Sequence, residues 1–82
     1  MKRFYIWYEH WDGGNGCQPT ENLEECIEQA KAAAESAGRR WTKSELEEHR
    51  RKNEDFTAVD EVNEDCTEVI DWLYSFKVGE EQ

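Results

Sequence analysis

The chain has 82 residues, of which 20 are acidic and 10 are basic, and its formal net charge is -10. A chain of this length buries only about 60–65% of the surface that its unfolded form exposes, which leaves little material for an enclosing substrate cleft and argues against an enzyme. The negative charge disfavours direct contact with nucleic acid or with anionic membranes, and it favours a partner with a basic surface.

Aromatic residues make up 12% of the chain, and acidic disordered segments rarely carry so many. We therefore expect one folded domain over residues 1–78, followed by a frayed acidic tail over residues 79–82. No apolar run is long enough to cross a membrane, and the first residues lack the apolar region of a signal peptide. The three cysteines, Cys17, Cys26 and Cys66, are odd in number and form no CxxC pair, so we expect them to be free thiols. Free thiols indicate a reducing compartment, so we expect the protein to be cytoplasmic.

The run over residues 4–8 consists of aromatic and β-branched residues and predicts the first strand. Apolar side chains on both of its faces indicate a central strand, or a strand with one face left for a partner. Tyr5, Trp7 and Trp11 are candidate partner contacts, because Trp and Tyr dominate interface hot spots. The alternative for these aromatic residues is packing inside the domain.

A first helix is predicted over residues 22–37, where apolar residues recur at helical spacing. Asn22 and Glu25 form a capping-box pattern at its start, and Gly38 is a suitable residue after its end. Several of the apolar positions are alanines. Their small side chains would let this helix lie close to a sheet.

A second helix is predicted over residues 43–53. Thr42 and Glu45 form another capping-box pattern, and Trp41 can pack against Leu46 one turn into the helix. The rest of the apolar face is weak, so we expect an exposed helix on the surface of the domain.

The last third of the chain predicts a strand over residues 56–62 and a turn at residues 63–65. Residues 66–78 fit two periods. As a strand they would place on one face Ile70, Trp72, Tyr74 and Phe76. As a helix they would end at Gly79. The β-branched and aromatic residues favour the strand.

The predicted fold class is therefore α+β, in the order β-α-α-β-β. We expect a three-stranded antiparallel sheet with the first helix packed on one face and the second helix on the surface. A helical segment over residues 66–78 is the alternative, and it would leave only two strands.

The chain lacks recognisable catalytic and metal-binding patterns. Its His and Cys residues do not have zinc-site spacing, and the glycine-rich loop over residues 12–16 lacks the pattern of a calcium or phosphate loop. Cys17 could pair with His10 or His49, but its acidic sequence neighbours disfavour a thiolate. We therefore expect no enzyme activity, no metal and no cofactor.

Acidic residues are concentrated in two tracts that contain no Lys or Arg, residues 4–30 and 53–71, with a basic stretch between them. Carboxylates about 5–7 Å apart on helices and strands can imitate the charges of a nucleic acid backbone. The candidate partner-binding carboxylates are Glu21, Glu24, Glu25, Glu28, Asp60, Glu61, Glu64, Asp65, Glu68 and Asp71. Opposite charges at i,i+4 in the basic stretch favour an exposed, salt-bridged helix, and the alternative is an anion-binding patch.

In size, charge and β-α-β-β-like layout, the whole chain resembles the small acidic inhibitors carried by phages and mobile elements, including anti-CRISPR and other DNA-mimic proteins. This resemblance carries over no individual functional residue. It implies an inhibitor that occupies a basic, nucleic-acid-binding surface of a host complex. The alternative is an adaptor or assembly module that docks through an aromatic strand face and is acidic only for solubility. Neither interpretation identifies the partner or the oligomeric state.

Overall fold

The structure is a computed structural model that describes residues 2–9, 18–36 and 40–79. Its elements in chain order are β1 (Phe4–Glu9), α1 (Leu23–Ala34), α2 (Lys43–Lys52), β2 (Phe56–Val62) and β3 (Val69–Lys77). The strands form one antiparallel sheet in the order β1-β2-β3. The predicted α+β class, its element order and the strand at the end of the chain are confirmed. None of the described helices is long and apolar enough to cross a membrane.

β1 lies at an edge of the sheet, so its prediction as a central strand is wrong. It pairs along its length with β2, beginning with Phe4 opposite Val62. On its other side, Tyr5 exchanges two backbone hydrogen bonds with Thr20, at 2.8 and 2.9 Å. The central strand is β2, in which only Glu61 is not fully buried. Apolar residues occur on both faces of β1 because helices cover both faces of the sheet.

α1 packs across one face of the sheet. The cluster between them contains Tyr5, Cys26, Ile27, Ala30, Ala34, Val59 and Phe76. Ala30 and Ala34 are fully buried, and their short side chains let the helix axis approach the strands. The hydroxyl of Thr57 on β2 donates a 2.8 Å hydrogen bond to the Ala30 carbonyl oxygen, which ties the helix to the central strand.

α1 ends at Ala34, earlier than predicted. Glu35 adopts a left-handed conformation with φ 55°, and its backbone N–H caps the last turn. The predicted cap, Gly38, lies outside the described residues. The N–H of Gly79 donates a 2.7 Å hydrogen bond to the carbonyl oxygen of Ala34. Gly79 is therefore attached to the end of α1, and the rest of the predicted frayed tail, residues 80–82, lies outside the described residues.

α2 packs on the opposite face of the sheet. Its capping box is formed by Thr42 and Glu45 as predicted, and it ends at Lys52 with Asn53 in the left-handed cap. The cluster beneath it contains Leu46, Phe56 and Ala58, with Tyr8 and Trp72 packed against them. The helix is thus a second layer over the sheet, although most of its own surface is exposed.

Two irregularities in β3 change which of its side chains share a face. Val59 pairs with Tyr74, whereas the next residue of β2 pairs with Trp72, so Leu73 has no partner in the register and forms a bulge. Ile70 forms a second bulge in the same way. Tyr74 then packs on the α1 side of the sheet and Trp72 on the α2 side. The prediction that Ile70, Trp72, Tyr74 and Phe76 all share one face is wrong for this reason.

Candidate partner-binding surface

The turn between β2 and β3, residues 63–68, is held together by the side chain of Asn63. Its Oδ1 accepts hydrogen bonds from the backbone N–H groups of Thr67 at 2.8 Å and Glu68 at 3.0 Å, and its Nδ2 donates to the Thr67 hydroxyl at 2.8 Å. The backbone N–H of Asn63 donates to the carbonyl oxygen of Glu68, and the N–H of Cys66 donates to that of Asn63. These bonds make the turn a well-connected scaffold for the side chains that it carries.

Four carboxylates lie on or beside this turn, and we name them the acidic turn: Glu61, Glu64, Asp65 and Glu68. The last three are exposed and the first is half-buried. None of the four forms an ion pair with another described residue. The acidic turn therefore presents four carboxylates from a fixed backbone without a close ion pair among the described residues, and Lys2 and Arg3 line the same groove as Glu61 and Glu64.

Apolar surface adjoins the acidic turn. Val69 is 50% exposed and Ile70 is 59% exposed. Ile70 also lines an open groove of about 500 Å³, together with Phe4 and Val62. Exposed apolar groups beside charged groups form the usual composition of a protein-binding surface, with an apolar centre and a polar rim.

The carboxylates of α1 and of the segment before it are exposed, but most of them are paired with cations. The pairs are Lys2–Glu21 at 3.5 Å, Arg40–Glu24, and Lys31–Glu28 at 3.2 Å. Glu25 accepts a 3.4 Å hydrogen bond from the side chain of Gln29. The helix therefore contributes less free charge than the sequence pattern predicts.

Two predicted surface carboxylates do not belong to an open acidic surface. Asp60 is 1% exposed on the α2 side of β2, so its assignment to a partner-binding surface is wrong. Burial raises the pKa of Asp60 to about 7, the charge of Arg50 opposes this rise, and the charge of Asp71 adds to it. Asp71 itself is half-buried and forms a 3.2 Å ion pair with Lys43.

The aromatic residues of β1 do not form a free docking face. Tyr5 is 9% exposed and belongs to the cluster beneath α1. Trp7 packs against the same cluster, and its indole N–H donates a 3.1 Å hydrogen bond to Gln29. Trp11, the third predicted aromatic contact, lies outside the described residues.

Sequence reasoning missed a second polar site, on the α2 side of the sheet. The guanidinium carbon of Arg50 lies 4.4 Å from the centre of the Trp72 ring and 5.5 Å from that of Tyr8. The sequence pattern predicts an exposed, salt-bridged helix for the whole basic stretch, whereas Arg50 is half-buried over the sheet. Its position four residues after Leu46 is the sequence signal that places it on the buried side of α2.

The His49 side chain is buried and packs against aromatic rings. It is 4% exposed, its ring centre lies 4.2 Å from that of Trp41 and 5.7 Å from that of Phe56, and its Nε2 lies 3.8 Å from a carboxylate oxygen of Glu54. Burial lowers the pKa of His49. Among the described residues, no group of three His, Cys, Asp or Glu side chains is arranged to hold a metal. His10 lies outside them.

The two described cysteines differ in state. Cys26 is a buried free thiol, and burial together with the charges of Asp60 and Glu25 raises its pKa to about 12. Cys66 is disulfide-bonded, so the expectation of free thiols is wrong for this residue. Cys17 lies outside the described residues.

Comparison of the chain with protein-family models, with curated proteins and with solved structures found no significant match. A functional proposal must therefore come from the geometry and charge of this chain. Those features favour the acidic turn and its apolar neighbours over the aromatic face of β1.

Proposed function

We propose that this protein is a small interaction domain that inhibits another protein by occupying its basic, nucleic-acid-binding surface, as DNA mimics of the anti-CRISPR type do. The observation that supports this proposal is the acidic turn, where a hydrogen-bonded scaffold carries four carboxylates that form no ion pair with another described residue. A surface built to bind phosphates can accept carboxylates in their place. Because the turn is already ordered, its binding costs less conformational entropy than binding of a flexible acidic tail.

The start of α1 lies at the same end of the sheet as the acidic turn. Tyr5 pairs with Glu61 on one side and with Thr20, the residue before Glu21, on the other. The acidic residues on both sides of this strand therefore lie at one end of the molecule. The cations that pair with Glu21 and Glu24 are exposed. Exposed ion pairs contribute little free energy, so a basic partner can replace these cations at small cost.

The exposure of Val69 and Ile70 favours a second candidate function. In this alternative the protein is an adaptor or assembly module that docks through apolar contacts, and its acidity serves solubility. The docking residues would then be these two, since Tyr5 is buried beneath α1. Salt separates the two functions, because charge mimicry weakens steeply as ionic strength rises whereas apolar docking changes little.

The proposed partner is a protein with a basic surface, and the proposal includes no direct contact with nucleic acid or with a membrane. The cytoplasmic location remains a prediction. The disulfide at Cys66 weighs against it, because disulfides persist mainly in oxidising compartments.

The test compares two triple variants that change the net charge equally. The first replaces Glu64, Asp65 and Glu68 with Lys. The control replaces Glu35, Glu48 and Asp55 with Lys; these carboxylates are exposed and do not line the grooves that contain Val69 and Ile70. Each protein is immobilised on a resin and incubated with a nuclease-treated lysate. After washing, the retained proteins are eluted with salt or with added duplex DNA.

We expect wild type and the control to retain the same basic proteins and to release them with salt and with DNA. The acidic-turn variant should lose them. Retention of these proteins by the acidic-turn variant would contradict the inhibitor proposal. Salt-insensitive retention that Ile70→Ser abolishes would support the adaptor.

A further inference from the structure

Several polar groups without hydrogen-bond partners gather on the α2 side of the sheet, around Ala58. The paired register places Tyr8 and Ser75 on either side of this alanine, and it places Asp60 beside Trp72 in the next row. Among the described residues, the buried atoms without a hydrogen-bond partner in this region include the Tyr8 hydroxyl, Asp60 Oδ1, the Ser75 hydroxyl and Arg50 Nε. Asp60 is 1% exposed and Ser75 is fully buried. Buried polar atoms in folded proteins are normally bonded, so a group of them in one place requires an explanation.

We name the group formed by the sheet residues the cage: Tyr8, Asp60, Trp72 and Ser75. Two aromatic rings, a carboxyl group and a hydroxyl suit a flat cation with several N–H donors. Guanidinium has this shape, stacks on aromatic rings and carries five donors in a plane. The ammonium group of lysine is compact and more strongly hydrated, so it fits such a site less well.

Arg50 fills the cage only in part. Its guanidinium group stacks between the two rings, and its charge acts on Asp60. No ion pair within 4.0 Å joins Arg50 to Asp60 among the described residues, and Nε of the arginine and Oδ1 of the aspartate both lack partners. The arginine thus uses the aromatic rings of the cage and leaves part of its hydrogen-bonding capacity unused.

α2, which carries Arg50, buries two of its residues, whereas α1 buries four. Leu46 and His49 are its only buried residues, and its ion pair from Lys43 to Asp71 is exposed at both ends. A small displacement of the helix would remove Arg50 from the cage without opening the cluster beneath α1.

We propose that the cage is a guanidinium-binding site, which Arg50 fills in the free protein and an arginine side chain of a basic partner fills in the complex. This inference rests on the proposed function for its basic partner, and it adds arginine as the residue that the partner inserts. The carboxyl group and the serine hydroxyl provide the hydrogen-bond contacts that Arg50 leaves incomplete, beside the rings that either guanidinium group contacts.

The test uses the whole protein and two small cations, L-argininamide and L-lysinamide, at equal ionic strength. The proteins are wild type, Arg50→Ala and the control Arg51→Ala, which removes the same charge from an exposed position on the same helix. Binding is followed by thermal unfolding and by the NMR signal of the Trp72 indole N–H. Arg50→Lys, which keeps a positive charge over the sheet, replaces Arg50→Ala if the alanine variant does not fold.

We expect argininamide to raise the melting temperature of Arg50→Ala saturably and to shift the Trp72 signal, with lysinamide having a smaller effect. Wild type should bind argininamide at least about tenfold more weakly, because Arg50 occupies the cage. Adding Asp60→Asn to Arg50→Ala should abolish the response. Equal responses in the Arg50 and Arg51 variants, or to the two cations, would overturn the inference. The argininamide experiment contains no macromolecular partner, so a negative result in it is distinct from a negative result in the lysate experiment with the acidic-turn variant.

Discussion

At the scale of single residues, Asp60 is a buried carboxyl group in the central strand, whose other buried side chains are apolar apart from Thr57. The sequence places it on the surface, because an aspartate is rarely fully buried without a partner. The structure buries it beneath α2, with Arg50 as the nearest cationic influence. An uncompensated buried carboxylate costs free energy, and that cost appears as a raised pKa.

Replacement of Asp60 with Asn should stabilise the fold at neutral and alkaline pH. In the wild type, the stability linked to this group is fully present below its unfolded pKa of 3.8 and is lost as pH rises through the folded value of about 7. The shift corresponds to at most about 4 kcal/mol. Urea unfolding of both proteins across this range should show the variant gaining stability relative to wild type as pH rises, then levelling off.

The control for this measurement is Glu61→Gln, the next residue along β2. It removes one carboxyl group from a half-buried position on the acidic turn. His49 acts in the opposite direction, since its lowered pKa makes stability fall as pH drops below 6.5. The wild type and the Asp60→Asn variant both retain His49, so the difference between their free energies of unfolding reports on Asp60 alone. A difference that does not change with pH would show that Asp60 titrates normally in the folded protein.

At the scale of elements, the separation between α1 and the sheet is set by two alanines. Ala30 and Ala34 are fully buried, and the Ala30 carbonyl oxygen accepts a hydrogen bond from the hydroxyl of Thr57. A larger side chain at either position would push the helix away from the strands and break this hydrogen bond.

Ala30→Leu should therefore destabilise the protein by about 1–3 kcal/mol, the usual cost of overpacking. The matched control is Ala33→Leu, the same substitution at an exposed position of the same helix. It should change the free energy of unfolding by less than about 0.5 kcal/mol. Urea titration of the two variants measures the difference, and equal effects would show that α1 does not pack on the sheet through Ala30.

At the scale of the whole molecule, the excess of acidic residues gives a net charge of -10. Salt has two opposing effects on such a protein. It screens the repulsion among the unpaired carboxylates, which stabilises the fold, and it weakens the surface ion pairs, each of which contributes no more than about 1 kcal/mol. Because acidic residues outnumber basic ones two to one, we expect the loss of repulsion to prevail.

Adding NaCl at neutral pH should therefore raise the melting temperature of the wild type. The acidic-turn variant, with Lys at positions 64, 65 and 68, should start from a higher melting temperature at low salt and gain less from NaCl. Calorimetry at several salt concentrations measures both slopes. An equal gain in the two proteins would show that the acidic turn does not contribute to the repulsion.

The amino-acid sequence is sufficient to predict the order of the elements, most of their limits and the start of both helices. Each of these depends on neighbouring residues, such as Thr42 with Glu45, or on a local hydrophobic period. It also identified the acidic turn, since a turn between two strands and its charged residues are local features. The end of α1 was not predicted, because its last carbonyl oxygen, that of Ala34, accepts a hydrogen bond from Gly79, which is far along the chain.

Packing between distant segments sets which helix covers which face, that β1 is an edge strand, and where individual side chains point. The extra residues in β3 reverse the facing of Trp72 relative to Tyr74, and no local pattern reveals a shift in register. For the same reason the sequence misplaced Asp60 and missed its proximity to Arg50. The environment of a charged group is set by residues distant in the chain, so its burial and pKa follow from packing and not from composition.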